Sequence, residues 1–306
     1  MEKIEKTYGK IILIGEHSVV YGKPAIAIPF DGTILEVKIE QSDENRIYCR
    51  FFDGKLEDTS DDLLGIKTLI HKFLEEFKIN DKIKVCIAST IPNERGMGSS
   101  AAASVGVARA LFNYFNINHD KNDIINWANI SEKIIHGNPS GVDINVVANN
   151  QTVYFIKNRP FEKFHIDTDA YIIIADSGKK GSTKEAVSDV RKLIDSKENK
   201  YKKYIDELGN LTEKAKQFIE KNSIKELGEV FNKAQEYLRK LAVSDESLEE
   251  LIKIANDNGA LGAKLTGGGR GGCMFAIADT LENARKIKEA LDEKAANTWM
   301  TKLKTN

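Results

Sequence analysis

One glycine-rich stretch, residues 91–103, constrains the fold of this chain more than any other. It reads Ile-Pro-Asn-Glu-Arg-Gly-Met-Gly-Ser-Ser-Ala-Ala-Ala. Gly96 and Gly98 allow a tight turn in which the backbone can approach another molecule closely. Apolar residues then recur at spacings of three and four, which predicts a helix over residues 101–115. The sequence therefore predicts a glycine turn that leads directly into the start of a helix.

Such a junction is typical of an anion site. The first N–H groups of a helix have no intrahelical partner and lie at the positive end of its dipole, so phosphate is their commonest guest. The hydroxyls of Ser99 and Ser100 could supply an N-cap and an oxygen ligand for a metal ion on the phosphate. An ordinary loop-to-helix junction is the simpler alternative.

Two common nucleotide motifs do not fit. The residues at 96–101 match G-x-G-x-x-A, but the predicted helix leads into another helix where a dinucleotide fold needs a second strand. The nearest run to a P-loop, residues 178–183, has its residues in the wrong order. A Rossmann fold and a P-loop are therefore not expected.

Composition indicates a soluble globular protein whose length is typical of two domains. The 306 residues are 41% apolar and 30% charged, with a formal net charge of −1. That balance gives no attraction to nucleic acid or to an anionic membrane. The three cysteines form no metal-binding spacing, so we expect buried thiols in a reducing cytoplasm. The N-terminal residues match neither a signal peptide nor a membrane span.

Apolar periodicity predicts a strand-rich first half and a mostly helical second half. The predicted strands cover residues 10–15, 25–29, 35–39, 84–88, 153–156, 171–175 and 273–278. The predicted helices cover residues 63–77, 101–115, 123–136 and 248–255, with a final amphipathic helix from residue 281. The charged run at 189–226 is expected to form solvated helix faces. A domain boundary is predicted near the loop at 158–160.

Polar residues end the first predicted strand. Lys10 begins it, and Gly15-Glu16-His17 follows it, at the lip of a sheet where binding sites gather. The alternative is that Glu16 and His17 pair with each other or cap a loop, and that Lys10 faces solvent.

Two further acidic residues are candidates. Glu132 lies beside the apolar face of its helix, where a carboxylate needs a cation or a hydrogen-bond partner. That partner is either His136, one turn on, or a magnesium ion shared with a hydroxyl and phosphate oxygens. The loop at 136–143 ends in Asp143, which is either an Asx cap or a carboxylate held near a substrate hydroxyl.

The stretch at 264–273, Lys-Leu-Thr-Gly-Gly-Gly-Arg-Gly-Gly-Cys, has five glycines in six positions. We predict that it connects a helix to a strand, so its G-x-G-x-x-G is not a dinucleotide fingerprint. Each such glycine costs ~0.5–1 kcal/mol relative to alanine in regular structure. Close backbone approach to a ligand or to the other domain is therefore the better explanation.

In this order, four segments resemble the GHMP family of small-molecule kinases. They are Gly9-Lys-Ile-Ile-Leu-Ile-Gly-Glu-His-Ser-Val-Val-Tyr-Gly22, residues 92–102, Asn138-Pro-Ser-Gly-Val-Asp143 and residues 264–273. The departures from the family pattern are mild: Met97 where leucine is usual, Arg95 before the turn, and Gly268 and Arg270 in the last segment.

The resemblance implies a two-domain α+β fold. Residues 1–165 would form an N-terminal domain like ribosomal protein S5, and residues 166–306 a C-terminal ferredoxin-like α/β sandwich. ATP would lie between them. Its contacts would come from Pro92, Arg95, Gly96, Met97, Gly98, Ser99, Ser100 and Ala101.

The resemblance also assigns roles to the candidate residues. Asp143 would be the general base, and Lys10 would stabilise charge near the γ-phosphate. Ser100 and Glu132 would hold Mg²⁺. Substrate contacts would come from Glu16, His17, Ser140, Thr183, Gly267 and Gly268.

Within the family, Gly-Glu-His before Ser-Val-Val-Tyr-Gly is similar to members that phosphorylate the C5 hydroxyl of mevalonate in isoprenoid biosynthesis. Galactokinases have Thr-Asp-Tyr after that Glu-His, and phosphomevalonate kinases usually carry Gly-Glu-Tyr.

A phosphomevalonate kinase and a ligand sensor that has lost catalysis are the rival hypotheses. The sensor should lack one of Lys10, Glu132 and Asp143, and all three are present. The resemblance implies a cytoplasmic enzyme with a small-molecule substrate, and a homodimer is a candidate assembly.

Overall fold

The computed structural model describes residues 3–137, 139–157, 159–160, 162–181, 183–196 and 199–305. The chain divides into two compact units whose stretches alternate along the sequence. The first unit comprises Met1–Lys10, Pro29–Pro92 and Gly98–Asn150, and the second Ile11–Ile28, Asn93–Met97 and Gln151–Asn306. The division between residues 165 and 166 stays a prediction. Asn138 and Asn158, which belong to two predicted loops, lie outside the described residues.

Helices and strands follow one another along the chain as a mixed sequence. They are β1 (Ile4–Ile14), β2 (Ala25–Gln41), β3 (Arg46–Cys49), β4 (Phe52–Lys55), α1 (Leu64–Glu76), β5 (Ile83–Ser89), α2 (Ser99–Tyr114), α3 (Lys121–His136), α4 (Val142–Asn149), β6 (Val153–Phe155), β7 (Glu162–Lys163), β8 (Asp167–Asp176), α5 (Thr183–Asp195), α6 (Asn199–Glu220), α7 (Ile224–Lys240), α8 (Glu246–Asp257), β9 (Gly262–Leu265), β10 (Cys273–Ala278), α9 (Leu281–Asp292) and β11 (Asn297–Lys304).

The first unit packs helices against a sheet with the order β4-β3-β5-β2. β2 is antiparallel to β5, and Val37 lies opposite Ile87. Buried residues alternate with more exposed ones along this part of β2, so one face of the strand joins the core. The helices α1, α2 and α3 pack on one another around an aromatic cluster. In it, the Phe73 ring lies 4.9 Å from the Phe112 ring and 5.1 Å from the Trp127 ring.

The second unit contains an antiparallel sheet with the order β11-β8-β10-β9. Ile174 of β8 lies opposite Phe275 of β10, and every residue of β9 and β10 is buried. Helices α7, α8 and α9 pack on this sheet. No helix among the described residues is long and apolar enough to cross a membrane.

Most of the predicted elements are present, with four corrections. The strand predicted at 10–15 begins at Ile4. The strands predicted at 25–29 and 35–39 are one strand, because the chain stays extended through the turn-like Asp31-Gly32 pair. The helix from Leu281 is not the last element, since edge strand β11 follows it. Helix α4 and strands β3, β4, β7 and β9 were not predicted.

The cysteines follow the predicted burial in part. Among the described residues Cys49, Cys86 and Cys273 form no disulfide; the first and last are buried as predicted, whereas Cys86 is half-buried. The charged run at 189–226 falls on α5, α6 and the start of α7, where buried residues occupy one face. Arg191 and Asp195 form one of the expected i,i+4 pairs, at 3.8 Å.

Candidate active site

In the first unit, β1 and α4 bring Lys10 and Asp143 together. The Lys10 ammonium lies 3.0 Å from Asp143 Oδ1, and the two side chains are 2% and 35% exposed. Lys10 is therefore not solvent-facing, which excludes that alternative. Asp143 is the second residue of α4, whose N-cap is Gly141, so the Asx-cap alternative is wrong as well. Ser140 lies just before, and its hydroxyl accepts a hydrogen bond from the Val142 N–H at 3.3 Å.

The glycine turn before α2 is shaped around Lys10. Gly98 is the N-cap of α2, with φ of 76°, and a Cβ at this position would lie 2.7 Å from Lys10 Cγ. Gly98 thus permits a close approach by the stem of Lys10 of the same chain, and the predicted approach to another molecule stays a prediction. The predicted serine N-cap is wrong, because Ser99 and Ser100 are already helical. A glycine at positive φ lets the helix begin without a side-chain cap.

His136, one of the two predicted partners of Glu132, lies beside it, and so does Ser100, the predicted co-ligand of a magnesium ion. Ser100 Oγ donates a hydrogen bond to Glu132 Oε1, and His136 Nε2 lies 3.6 Å from Oε2. The Glu132 side chain is 4% exposed. Burial raises the pKa of Glu132, while His136 and the Ser100 hydrogen bond oppose that rise. Asp143 raises it further and Lys10 lowers it, so the two pairs share one electrostatic environment.

In the second unit, Glu16 and His17 are buried and held by the glycine-rich stretch at 264–273. Glu16 Oε1 accepts a hydrogen bond from Lys264 Nζ, and these side chains are 1% and 0% exposed. His17 Nε2 lies 3.0 Å from the carbonyl oxygen of Gly268. Because a carbonyl only accepts, Nε2 carries the hydrogen and Nδ1 is left as an acceptor.

The charge state of His17 follows from its surroundings. Burial lowers its pKa to about 4; the bond to the Gly268 carbonyl opposes this, and the charges of Arg270 and Lys264 add to it. The imidazole is therefore neutral at pH 7. Its Nδ1 is buried and has no hydrogen-bond partner among the described residues.

The glycine-rich stretch connects β9 to β10, and not a helix to a strand as predicted. A Cβ at Gly268 would lie 2.5 Å from Thr183 Oγ1, and a Cβ at Gly267 would lie 2.7 Å from Gly96 Cα. Both of these close approaches lie within the second unit, and the predicted approach to a ligand or to the other domain stays a prediction. Within this unit Gly268 lies close to both Thr183 and His17, and Gly267 lies close to Gly96.

Several residues that were predicted to contact the ATP phosphates have few side-chain atoms available for such a contact. The side chains of Met97 and Ala101 are buried, so only their backbone could face a ligand. Pro92 is half-buried in the same turn. Arg95 is committed elsewhere: its Nε lies 3.0 Å from Asp176 Oδ1, and its Nη2 donates to the Gly178 carbonyl at 2.8 Å.

Sequence reasoning missed the partners of three basic residues. Besides Asp176, it missed Asp189, whose Oδ2 accepts from Arg270 Nη1 at 2.6 Å. It also missed the burial of Lys264 against Glu16. A lysine within the short apolar stretch Gly262–Leu265 was the available signal, because a buried lysine needs an anionic partner.

Comparisons with known proteins place these features in a family. The family model for the GHMP kinases N terminal domain matches residues 65–149, and the GHMP kinases C terminal model matches residues 215–297. Mevalonate kinase of Pyrococcus furiosus is 36% identical over 91% of this chain and 90% of its own.

Solved structures agree in fold. Mevalonate kinase from methicillin-resistant Staphylococcus aureus superimposes with a TM-score of 0.75 at 31% identity, and 99% of each chain is covered. The L. major mevalonate kinase in complex with R-mevalonate has a TM-score of 0.84 at 24% identity, and the match covers 99% of this chain and 97% of that one.

Proposed function

The chain belongs to the GHMP kinase family, and we propose that it transfers the γ-phosphoryl group of ATP to the C5 hydroxyl of (R)-mevalonate. The observation that carries the proposal is the buried Lys10 ammonium 3.0 Å from Asp143, beside the glycine start of α2. A carboxylate and a cation held together can take a proton from a hydroxyl and stabilise the charge that develops. The identity to mevalonate kinases supports the choice of acceptor.

In the proposed reaction, the C5 oxygen attacks the γ-phosphorus while its proton passes to the Asp143 carboxylate. The new O–P bond forms as the bond between the γ-phosphorus and the β,γ-bridging oxygen breaks, which gives 5-phosphomevalonate and ADP. A full alkoxide is not required, because phosphoryl transfer depends mainly on positioning and electrostatics. Lys10 lies close enough to Asp143 to stabilise the negative charge of the reacting group.

The ATP phosphates are proposed to bind at the start of α2. The first intrahelical bond runs from the Ala102 N–H to the Gly98 carbonyl at 2.9 Å, so earlier N–H groups lie at the positive end of the helix dipole. Contacts from residues 92–101 would be mostly backbone contacts, since Met97 and Ala101 are buried.

Ser100 and Glu132 fit a magnesium ion as donors. They offer a hydroxyl and a carboxylate oxygen in direct contact, which are the hard ligands that Mg²⁺ prefers. Burial raises the pKa of Glu132, so its ionised form would gain from a nearby cation, which supports this assignment. Mg²⁺ bound there would neutralise charge on the phosphate oxygens.

The acceptor is proposed to bind near His17 and Thr183. The Nδ1 of His17 is available as a hydrogen-bond acceptor for a substrate hydroxyl. Glu16 contributes through the backbone turn rather than by direct contact, because its carboxylate is buried against Lys264. Ser140, Gly267 and Gly268 remain predicted contacts, and the cytoplasmic location and the homodimer remain predictions.

The test is ADP release from MgATP with (R)-mevalonate, phosphomevalonate, homoserine and galactose offered separately. We expect turnover with mevalonate alone, and its loss in Asp143→Asn. Turnover with another acceptor would keep the kinase and overturn the acceptor. Binding of MgATP without turnover of any acceptor would instead support a ligand sensor.

A further inference from the structure

The backbone of the second unit is strained at His17. This residue has φ of 60° and ψ of −45°, and the Ser18 N–H donates to the Glu16 carbonyl at 2.6 Å, which closes a γ-turn. The γ-turn with positive φ is rare, and such a conformation persists only where its surroundings over-determine it. Gly15 leaves no room for relief, because a Cβ there would lie 2.5 Å from Ala25 Cα. The turn therefore needs anchors on both sides.

Both anchors come from the glycine-rich stretch. Glu16, before the strained residue, is ion-paired with Lys264 in a fully buried contact. His17 itself is bound to the Gly268 carbonyl at 3.0 Å. Thr266, between these two anchors, exchanges hydrogen bonds with the Ile12 N–H and carbonyl at 3.1 and 3.0 Å. Three consecutive contacts thus join β1 and its turn to residues 264–268.

Lys264 is itself held firmly. Its Nζ also donates to the Leu265 carbonyl at 2.6 Å and lies 5.1 Å from the centre of the Phe275 ring. The ammonium is therefore held by contacts within β9 and β10 as well as by Glu16. A lysine with this many fixed contacts transmits the geometry of the sheet to the turn.

Stability alone does not explain a fully buried pair of this kind. Desolvation of two charges offsets most of their attraction, and well-packed apolar residues often replace such a pair without loss. Glu16 of this pair directly precedes His17, which is strained and whose buried Nδ1 has no hydrogen-bond partner among the described residues. The placement of the ion pair matches a role in setting the geometry of the turn at His17.

We propose that Lys264 is a positioning residue: through Glu16 it holds the γ-turn at His17, and thereby orients the imidazole toward the phosphoryl acceptor. This inference rests on the proposed function, because His17 is there a contact of the acceptor. It goes beyond that function by assigning to Lys264 a role in acceptor binding without contact to the acceptor.

The test uses the double variant Lys264→Met with Glu16→Gln, which removes both buried charges at once. We expect it to fold, since neither buried charge is left uncompensated, with a Tm lowered by the buried amide at position 16 that has lost its partner. We expect its KM for mevalonate to rise about 10-fold or more, with the KM for ATP changed by less than about 3-fold. Lys216→Met is the matched control, because it removes a lysine paired with Glu162 at 3.0 Å elsewhere in the same unit. Its KM for mevalonate should equal that of the wild type.

A second measurement does not depend on turnover. In the wild type labelled with ¹⁵N-histidine, His17 should give the signals of a neutral imidazole protonated at Nε2, and the double variant should alter them. Unchanged His17 signals together with an unchanged KM for mevalonate would overturn the proposal, and so would a double variant that fails to fold. If the wild type does not phosphorylate mevalonate, the proposed function fails, while the His17 signals still decide whether Lys264 positions this residue.

Discussion

Replacing Asp143 by asparagine and Lys10 by methionine should affect turnover alike and stability differently. Both residues act on the reacting hydroxyl in the proposed mechanism, so either change should lower kcat by ~10²–10⁴-fold. The structure treats them unequally, however, since Lys10 is 2% exposed and Asp143 is 35% exposed. Loss of Asp143 therefore leaves a buried ammonium group, whereas loss of Lys10 leaves a carboxylate that is partly exposed to water.

The magnitude follows from the 3.0 Å separation of the two charged groups. Unit charges at that distance attract by about 5 kcal/mol at an effective dielectric constant of ~20, and the exposure of Asp143 reduces this value. Asp143→Asn keeps an acceptor but leaves a buried ammonium without its counter-charge, so we expect a loss of ~1–3 kcal/mol in the free energy of unfolding. Lys10→Met keeps the stem that packs on Gly98 and leaves a carboxylate that reaches water. Its expected loss is below ~1 kcal/mol.

The assay combines ADP release at saturating MgATP and mevalonate with urea unfolding of both variants and of the double variant. Because the pair acts as a unit, the double variant should be no more than about 10-fold slower than the worse single variant. A kcat of Asp143→Asn close to that of the wild type would refute the role of this residue as general base. Equal stability losses for the two single variants would refute the burial argument.

Three further perturbations follow from the same geometry. Burial raises the pKa of Glu132, so the ionised carboxylate lowers the free energy of unfolding above that pKa. At acidic pH it has no such effect, because the carboxyl group is protonated in both the folded and the unfolded chain. In the absence of Mg²⁺, the Tm of Glu132→Gln should accordingly lie above that of the wild type at pH 7 and equal it in acid. The variant should nevertheless need at least ~10-fold more Mg²⁺ for half-maximal rate. Unchanged kinetics with a lower Tm would favour a structural pairing with His136. Because the pKa of His17 is lowered from 6.5 to about 4, its neutral form is favoured in the fold, and stability falls as pH drops through that window. Urea titrations from pH 7 to pH 4 should show the wild type losing about 3 kcal/mol more than His17→Gln, and parallel losses would contradict the burial of a neutral imidazole. Gly98→Ala should lower kcat at least ~10-fold, because the added Cβ clashes with Lys10. Gly22→Ala is the control, since φ is 79° there and nothing lies within 4 Å of a Cβ; it should share the backbone strain of ~1–2 kcal/mol and keep its kcat. Equal rates for the two variants would exclude the clash.

Elements with one buried face were predictable from the sequence. Helix α8 matches its predicted range closely, because its apolar residues recur with the helical period. Strand β10 also matches, but as a continuous apolar run in which every residue is buried. Strand β11 was missed because only Leu303 is buried along it, so no alternation appears in the sequence. Strand β2 was predicted as two strands, and the Asp31-Gly32 pair between them is a common turn signal. Pairing of its first residues with β6 and its last residues with β5 keeps the chain extended.

The residue types of the candidate site were predictable, but their partners were not. Motif spacing identified Lys10, Asp143 and Glu132 without showing that Lys10 is buried or that Ser100 donates to Glu132. Partners such as Glu16 and Lys264 lie 248 positions apart in the sequence. Only the tertiary fold brings them together, and no periodicity within one element encodes such a pair.

The mistaken N-cap shows how the turn and the proposed metal site depend on each other. A serine at an N-cap uses its hydroxyl as an acceptor for a backbone N–H of the first turn. Gly98 occupies the cap instead, because its φ of 76° is open to glycine and its missing Cβ leaves space for Lys10. Ser100 therefore lies within the first helical turn, where its hydroxyl donates to Glu132. Gly98 thus permits both the close approach of Lys10 and the placement of the Ser100 hydroxyl beside the Glu132 carboxylate. A serine cap at position 98 would therefore disturb the proposed catalytic lysine and the proposed metal site at once.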